Sequence, residues 1–127
     1  MLTANCYLYD IENILLGDLD QKMTRSNAVI IGSPTINQNT LLPVYRLFAV
    51  INPIRDRGKL SAAFGSYGWS GEAMKIIEAN LRALKLNVVQ EGLATKFFPH
   101  NDVASDYVEF GKKFGTQLML NKVSEND

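Results

Sequence analysis

The spacing of hydrophobic positions changes several times along this chain, and each change predicts an element. Cys6-Tyr7-Leu8-Tyr9 is a short β-type run closed by Asp10. From Asn13 to Arg25 the apolar positions Leu15, Leu19 and Met23 recur at helical spacing, with Gly17 weakening the pattern. Ala28-Val29-Ile30-Ile31 is continuously apolar and reads as a strand buried on both faces, stopped by the turn signal Gly32-Ser33-Pro34-Thr35. Asn37 to Thr40 supplies caps for a helix with Pro43 in its first turn and Leu42, Tyr45, Leu47, Phe48 and Ile51 on its inner face. Asn52-Pro53 ends that helix, and Arg55 to Lys59 reads as a solvated connection.

Leu60 to Phe64 predicts the next strand. Ser70 is the expected cap of the helix that follows, with Glu72 at its positive end and Ala73, Ile77, Leu81 and Leu84 as its stripe. Lys85 and Asn87 end it. Val88-Val89 opens a further strand that runs to Leu93 or Ala94, and Phe97-Phe98-Pro99-His100 is an apolar loop. A last helix, capped by Asp102, carries Val103, Tyr107, Phe110, Phe114 and Leu118 on one face. Gly111 and Gly115 are expected to let it approach the sheet, and the tail after Asn121 is expected to fray. The resulting order, β-α-β-α-β-α-β-α, predicts a parallel sheet with right-handed crossovers and helices on both faces.

Composition narrows the function. A chain of 127 residues predicts one domain, and 46% apolar with 20% charged residues is the balance of a soluble globular protein. Thirteen basic residues offset thirteen acidic ones, so nothing points to nucleic acid or an acidic membrane, and no run reaches a membrane span. The first residues lack a basic region followed by an apolar core, so no signal peptide is expected. One cysteine, read as a buried small hydrophobe, allows no internal disulfide and fits a cytoplasmic setting. One histidine, His100, and one cysteine leave no set of ligands for zinc or di-iron. No nucleophile–base pair or spaced carboxylate pair stands out, and no catalytic residue is assigned.

The candidate chemistry lies in two strand-end loops. Ser66-Tyr67-Gly68-Trp69-Ser70-Gly71 follows a strand and precedes a helix, where ligands of open α/β sheets bind. Tyr67 and the single tryptophan, Trp69, offer flat surfaces for a planar cofactor; an aromatic pair packing a surface loop is the competing reading. Gly65, Gly68 and Gly71 permit close backbone approach, although turn formation also explains them. Ser33, Thr35 and Asn37 have groups to hydrogen-bond a ring edge, or to close a turn and cap a helix.

Gly32-Ser33-Pro34-Thr35-Ile36-Asn37 and Phe64-Gly65-Ser66-Tyr67-Gly68-Trp69-Ser70-Gly71-Glu72, in that order and about thirty residues apart, resemble the flavodoxin-like C-terminal domain of the A-type flavoproteins, also called flavodiiron proteins. The resemblance covers nearly the whole chain. It implies a flavodoxin-like three-layer sandwich and non-covalent FMN, with Ser33, Pro34, Thr35, Ile36, Asn37, Ser66, Tyr67, Gly68, Trp69 and Gly71 at the flavin. It implies electron transfer to a di-iron site in a separate metallo-β-lactamase-like domain, which reduces oxygen or nitric oxide. This sequence contains neither that domain nor its ligands, so such reduction is not expected of it alone. Nor does it contain the family's first strand and the Ser/Thr/Gly-rich loop that wraps the phosphate. Four strands are therefore expected instead of five, in a single domain over residues 1–127 that is N-terminally truncated relative to the family. About three lost bonds to a charged phosphate would weaken FMN by about 5–9 kcal/mol, more than a thousandfold. The expected function is an FMN-binding electron carrier served by a redox partner protein or a separate di-iron protein. The alternative is an FMN-free remnant acting as an interaction or homo-oligomerisation module, its open strand edge inviting another chain.

Overall fold

Strand β2 (Leu60–Tyr67) is the strand around which the sheet is assembled. The computed structural model describes residues 4–96 and 103–126. The element order is α1 (Leu16–Arg25), β1 (Ala28–Pro34), α2 (Leu42–Val50), β2, α3 (Glu72–Ala83), β3 (Asn87–Val88), β4 (Leu93–Lys96) and α4 (Val103–Asn126). β1 runs parallel to β2 in the register Ala28↔Leu60 through Pro34↔Ser66. The other edge of β2 is shared: β3 pairs with Leu60 and Ser61, and β4 with Phe64 to Tyr67, again parallel. From Ser61 to Phe64 is three residues on β2, while Val88 to Leu93 is five on the facing chain. Two extra residues bulge there and split what the sequence pattern predicts as one strand.

The sheet is a four-stranded parallel one with helices on both faces, a flavodoxin-like fold, but its membership differs from the expected one. Cys6 to Tyr9 forms no strand: Tyr7 is 71% exposed and Leu8 96% exposed. Its β propensity finds no neighbour to pair with among the described residues, and propensity alone does not hold an isolated strand. Cys6 is exposed rather than buried.

Side chains alternate across the sheet, and the helices divide accordingly. Ile31 and Ala63 face a core built with Leu19 and Met23 of α1, Val44, Leu47 and Phe48 of α2, and Met74, Ile77 and Leu81 of α3. Leu60 and Ala62 face the other way, against Phe114 of α4 with Phe110 and Leu118 beside it. Ile77 and Leu81 have no exposed surface, and burial of such side chains stabilises by about 1.5–3 kcal/mol each. Three helices thus cover one face and one covers the other, where Ile30 remains 39% exposed. Gly111 and Gly115 do not serve as approach points, since a Cβ on either would meet nothing within 4 Å. Helix α4 continues to Asn126 rather than fraying after Asn121. The predicted loop from Phe97 to His100 and the cap at Asp102 lie outside the described residues.

Below the amino end of β2, the connection expected to be solvated hides a charge. Asp56 has no exposed surface. Its carboxylate accepts hydrogen bonds from Arg55 Nη2 at 2.8 Å, Lys59 Nζ at 2.7 Å and the Asn52 N–H at 2.8 Å. Arg55 also reaches Asp20 of α1 at 2.9 Å, and Lys59 Nζ donates to the Met23 carbonyl at 2.6 Å. Burial pushes the Asp56 carboxyl up, but the bonds from Arg55, Lys59 and Asn52 outweigh it and bring it down to about 2. The knot fastens α1, the end of α2 and the start of β2 together.

Candidate functional site

The carboxyl ends of β1 and β2 lie side by side, so the loops that leave them are neighbours by construction. Beyond the last paired residues, Pro34↔Ser66, the Thr35 N–H donates to the Ser66 carbonyl at 2.8 Å. Gly65 faces Ser33 so closely that a Cβ there would stand 2.9 Å from the Ser33 carbonyl oxygen. The structure brings Ser33, Pro34, Thr35, Ser66 and Tyr67 together at this rim. It also holds a cleft of about 200 Å³ there, lined by Gly32, Ser33, Pro34, Phe64, Gly65, Ser66 and Tyr107. Gly32 makes that cleft's floor: a Cβ on it would lie 2.1 Å from Cζ of the Phe64 ring, which packs edge-on against Tyr107. The Tyr107 hydroxyl is 2.9 Å from Thr95 Oγ1. The sequence pattern puts Phe64 at the end of its strand and the head of the second motif, and Tyr107 on the inner face of the last helix; their aromatic pairing is a tertiary fact with no local signature.

The polar side chains of the first loop are engaged within the protein. Ser33 is 5% exposed; its hydroxyl donates to the Pro34 carbonyl at 2.8 Å and accepts the Leu41 N–H at 3.1 Å. It closes the loop that leads into α2, whose cap residue, Leu41, has no side-chain oxygen. Asn37 and Gln38 do not cap α2 as expected. They form the tip of a tight turn, φ 52° and 60°, closed by reciprocal bonds between Ile36 and Asn39 at 2.9 and 3.0 Å. Two successive left-handed residues match the primed hairpin turn, which asparagine tolerates well and glutamine less so. Asn39 accepts the Tyr45 hydroxyl and the Thr40 N–H with its side-chain oxygen. The turn leaves Ile36 47% exposed.

The second loop is open at its tip. Trp69 is 96% exposed, and Gly68 is exposed beside it. Tyr67 is half-buried, its ring against Gly71, where a Cβ would approach Cδ1 to 3.3 Å. The cap of α3 is Gly71 rather than Ser70, and it makes no side-chain cap bond. The Ala73 N–H in the first turn of α3 instead donates to Thr35 Oγ1 at 3.1 Å, across from the other loop. Glu72 sits at the first position of that helix with one carboxylate oxygen, Oε2, buried and unbonded among the described residues.

These relationships suit a flat ring and not a phosphate. Exposed Trp69 and Ile36, half-buried Tyr67 and the glycine-lined approach give apolar surface at a rim of backbone polar groups. The nearby helix starts disfavour an anion: the Leu41 and Ala73 N–H groups are taken, Pro43 has none, and Glu72 puts negative charge at α3. No lysine or arginine occurs from Ser26 to Tyr45 or from Leu60 to Met74.

Comparison with known proteins gives the same fold. No family model matches the chain. It is 36% identical over 115 residues to a flavo-diiron protein, FprA2 of Clostridium acetobutylicum, covering 91% of this chain and 29% of that protein. The flavodiiron core of Flv1 from Synechocystis superposes with a TM-score of 0.77 at 23% identity, over 88% of this chain and 28% of that one. A flavodoxin from the domain Archaea superposes with a TM-score of 0.69 at 29% identity, over 86% of this chain and 74% of that one. The stretch shared with flavo-diiron proteins is therefore the stretch shared with free-standing flavodoxins. The chain is a homologue of the A-type flavoproteins over their flavodoxin-like part. It spans under a third of the length of the curated relative it matches. Within this flavodoxin-like module the two conspicuous motifs end β1 and β2 as expected. No described helix is long and apolar enough to cross a membrane.

Proposed function

We propose that this chain is an FMN-binding electron-transfer module that grips the flavin by its ring. The observation that carries the reading is the joined pair of loops at the ends of β1 and β2, with Trp69 and Ile36 exposed on them. When bound, flavin supplies one- and two-electron transfer. The protein's part is to orient the ring, with Tyr67 and Trp69 as apolar flanks and the backbone of Ser33 to Asn37 and Ser66 to Gly71 along its polar edge. Electrons would come from or go to a separate redox protein, such as a di-iron protein, at the open Trp69 side. The second edge of β1, unpaired among the described residues, supports association with another copy.

The loops contain no cation, and the helix starts beside them carry a proline or a glutamate, so the reading makes a specific demand. Titration of the full chain with FMN and with riboflavin, followed by quenching of the single tryptophan, is expected to give dissociation constants within about threefold of each other, or about 0.7 kcal/mol. FMN binding a thousandfold tighter than riboflavin would place a phosphate site in this chain and defeat the ring-only grip. No quenching by either at millimolar concentration would defeat the flavin reading itself.

A further inference from the structure

The residue that shapes the proposed ring site does so from the opposite loop. Two bonds converge on Thr35: its N–H donates to the Ser66 carbonyl at 2.8 Å, and its hydroxyl oxygen accepts the Ala73 N–H at 3.1 Å. Ser66 and Ala73 are the two ends of the segment that carries Tyr67, Gly68, Trp69 and Gly71. One side of the clamp is backbone and insensitive to side-chain identity; the other needs an oxygen at Thr35. The start of α3 has no substitute, since its cap is a glycine without a side-chain bond. The tip has little else to hold it, with Gly68 and Trp69 in solvent.

We infer that Thr35 is a positioning residue for the flavin ring: it clamps both ends of the aromatic loop, and its hydroxyl sets where Tyr67 and Trp69 stand. The inference rests on the flavin reading above and reassigns Thr35 from direct ligand to organiser of the neighbouring loop. The bond from the Ala73 N–H fixes the hydroxyl at the helix start, and the inferred effect passes from it to the ring through residues 67–72. A preset loop saves the ordering cost that a mobile loop would meet on binding.

The test compares Thr35→Val, which keeps the shape and the backbone bond but deletes the oxygen, with Thr35→Ser, which keeps the oxygen. Thr35→Val is expected to weaken FMN about three- to tenfold, the range of one neutral hydrogen bond, while Thr35→Ser stays within about twofold of the parent. Hydrogen exchange at the Ala73 amide is expected to accelerate in the valine protein and not in the serine protein. If the valine protein does not fold, Thr35→Ala makes the same comparison. Asp56→Asn, at the opposite end of β2, is the control for general destabilisation: its Tm falls while its FMN affinity is unchanged. Equal FMN affinity in the parent and the valine protein would overturn the clamp and leave the flavin reading standing. Equal loss in the serine and valine proteins, or in the Asp56 control, would also overturn it. A parent that does not quench with FMN fails the flavin reading and removes the positioning role with it.

Discussion

The two ends of β2 are held by opposite means. At the amino end, the Asp56 carboxylate is fully enclosed and receives two cationic side chains and a backbone N–H, so each of its bonds is charge-assisted. At the carboxyl end the bonds are neutral, made by backbone groups and two hydroxyls, and the largest apolar side chain, Trp69, stands in solvent. One end contributes stability; the other keeps a surface open. Regions drawn from the weakly held end of a structure are those that can rearrange around a ligand. The difference predicts that damage at the base appears in folding and damage at the rim appears in binding.

The largest effect is expected at the base. Asp56→Asn leaves Lys59 without its anion and Arg55 with Asp20 alone, the two side chains being 15% and 29% exposed. Partial exposure of those cations softens the loss, and we expect destabilisation of about 3 kcal/mol, a fall in Tm on the order of 10 °C. The parent protein makes the same point through pH. The Asp56 carboxyl lies at about 2 in the folded chain against its ordinary 3.8, so the knot is fully stabilising above pH 4 and fades as the pH falls through 2. The difference amounts to about 2 kcal/mol at 1.36 kcal/mol per unit. Urea melts at pH 5 and pH 2.5 should show most of that fall, about 1.6 kcal/mol, in the parent and a smaller one in the asparagine variant. Equal acid sensitivity in both would break the assignment.

This knot shows what the sequence could and could not disclose. The string Arg55-Asp56-Arg57-Gly58-Lys59 reads as a solvated turn because charge runs usually are. Nothing local says that Asn52, Val50 and Met23 will close over it. The strand cores at Ala28–Ile31 and Leu60–Phe64 were legible because short, continuously apolar runs carry their own signature, but burial on both faces holds only for β2: in β1, Ile30 stays 39% exposed. Their ends were not. β1 extends to Pro34 through a turn-like Gly-Ser-Pro, because Gly32 accommodates the Phe64 ring and Pro34 falls on the strand side facing away from β2, where no N–H is required. Cys6 to Tyr9 has the right residues for a strand but no partner strand among the described residues, and pairing is a tertiary condition. The ring-site motifs were legible as positions. The roles of Ser33 and Thr35 were not, since each bonds a residue that only the fold brings near.

A smaller effect, split between folding and binding, is expected where β1 and β2 end. Gly65→Ala would place a Cβ 2.9 Å from the Ser33 carbonyl oxygen, and that neighbour is backbone rather than a flexible side chain. The strands must part by some tenths of an ångström, at about 1–2 kcal/mol by the usual cost of overpacking. Because Ser33 and Ser66 move with them, FMN affinity should fall along with Tm. A Gly65→Ala protein with a lowered Tm and unchanged FMN affinity would show that the rim tolerates displacement, and would weaken the contrast between the two ends.

Trp69→Ala isolates the rim entirely. With 96% of its surface in solvent, the side chain has almost no folded-state packing to lose, so Tm should stay within the scatter of surface substitutions, about 0.5 kcal/mol. A bound ring would cover the indole, and an aromatic pair is worth about 0.5–1.5 kcal/mol beyond area burial, so FMN should weaken by about two- to tenfold. The variant lacks the tryptophan reporter, so the affinity is read from flavin fluorescence or by calorimetry. The informative comparison is with Trp69→Phe, which keeps a flat apolar face of smaller area and should fall between. Equal affinity in all three proteins would mean that Trp69 stands clear of the ring, leaving Tyr67, fixed against Gly71, as the flank that matters.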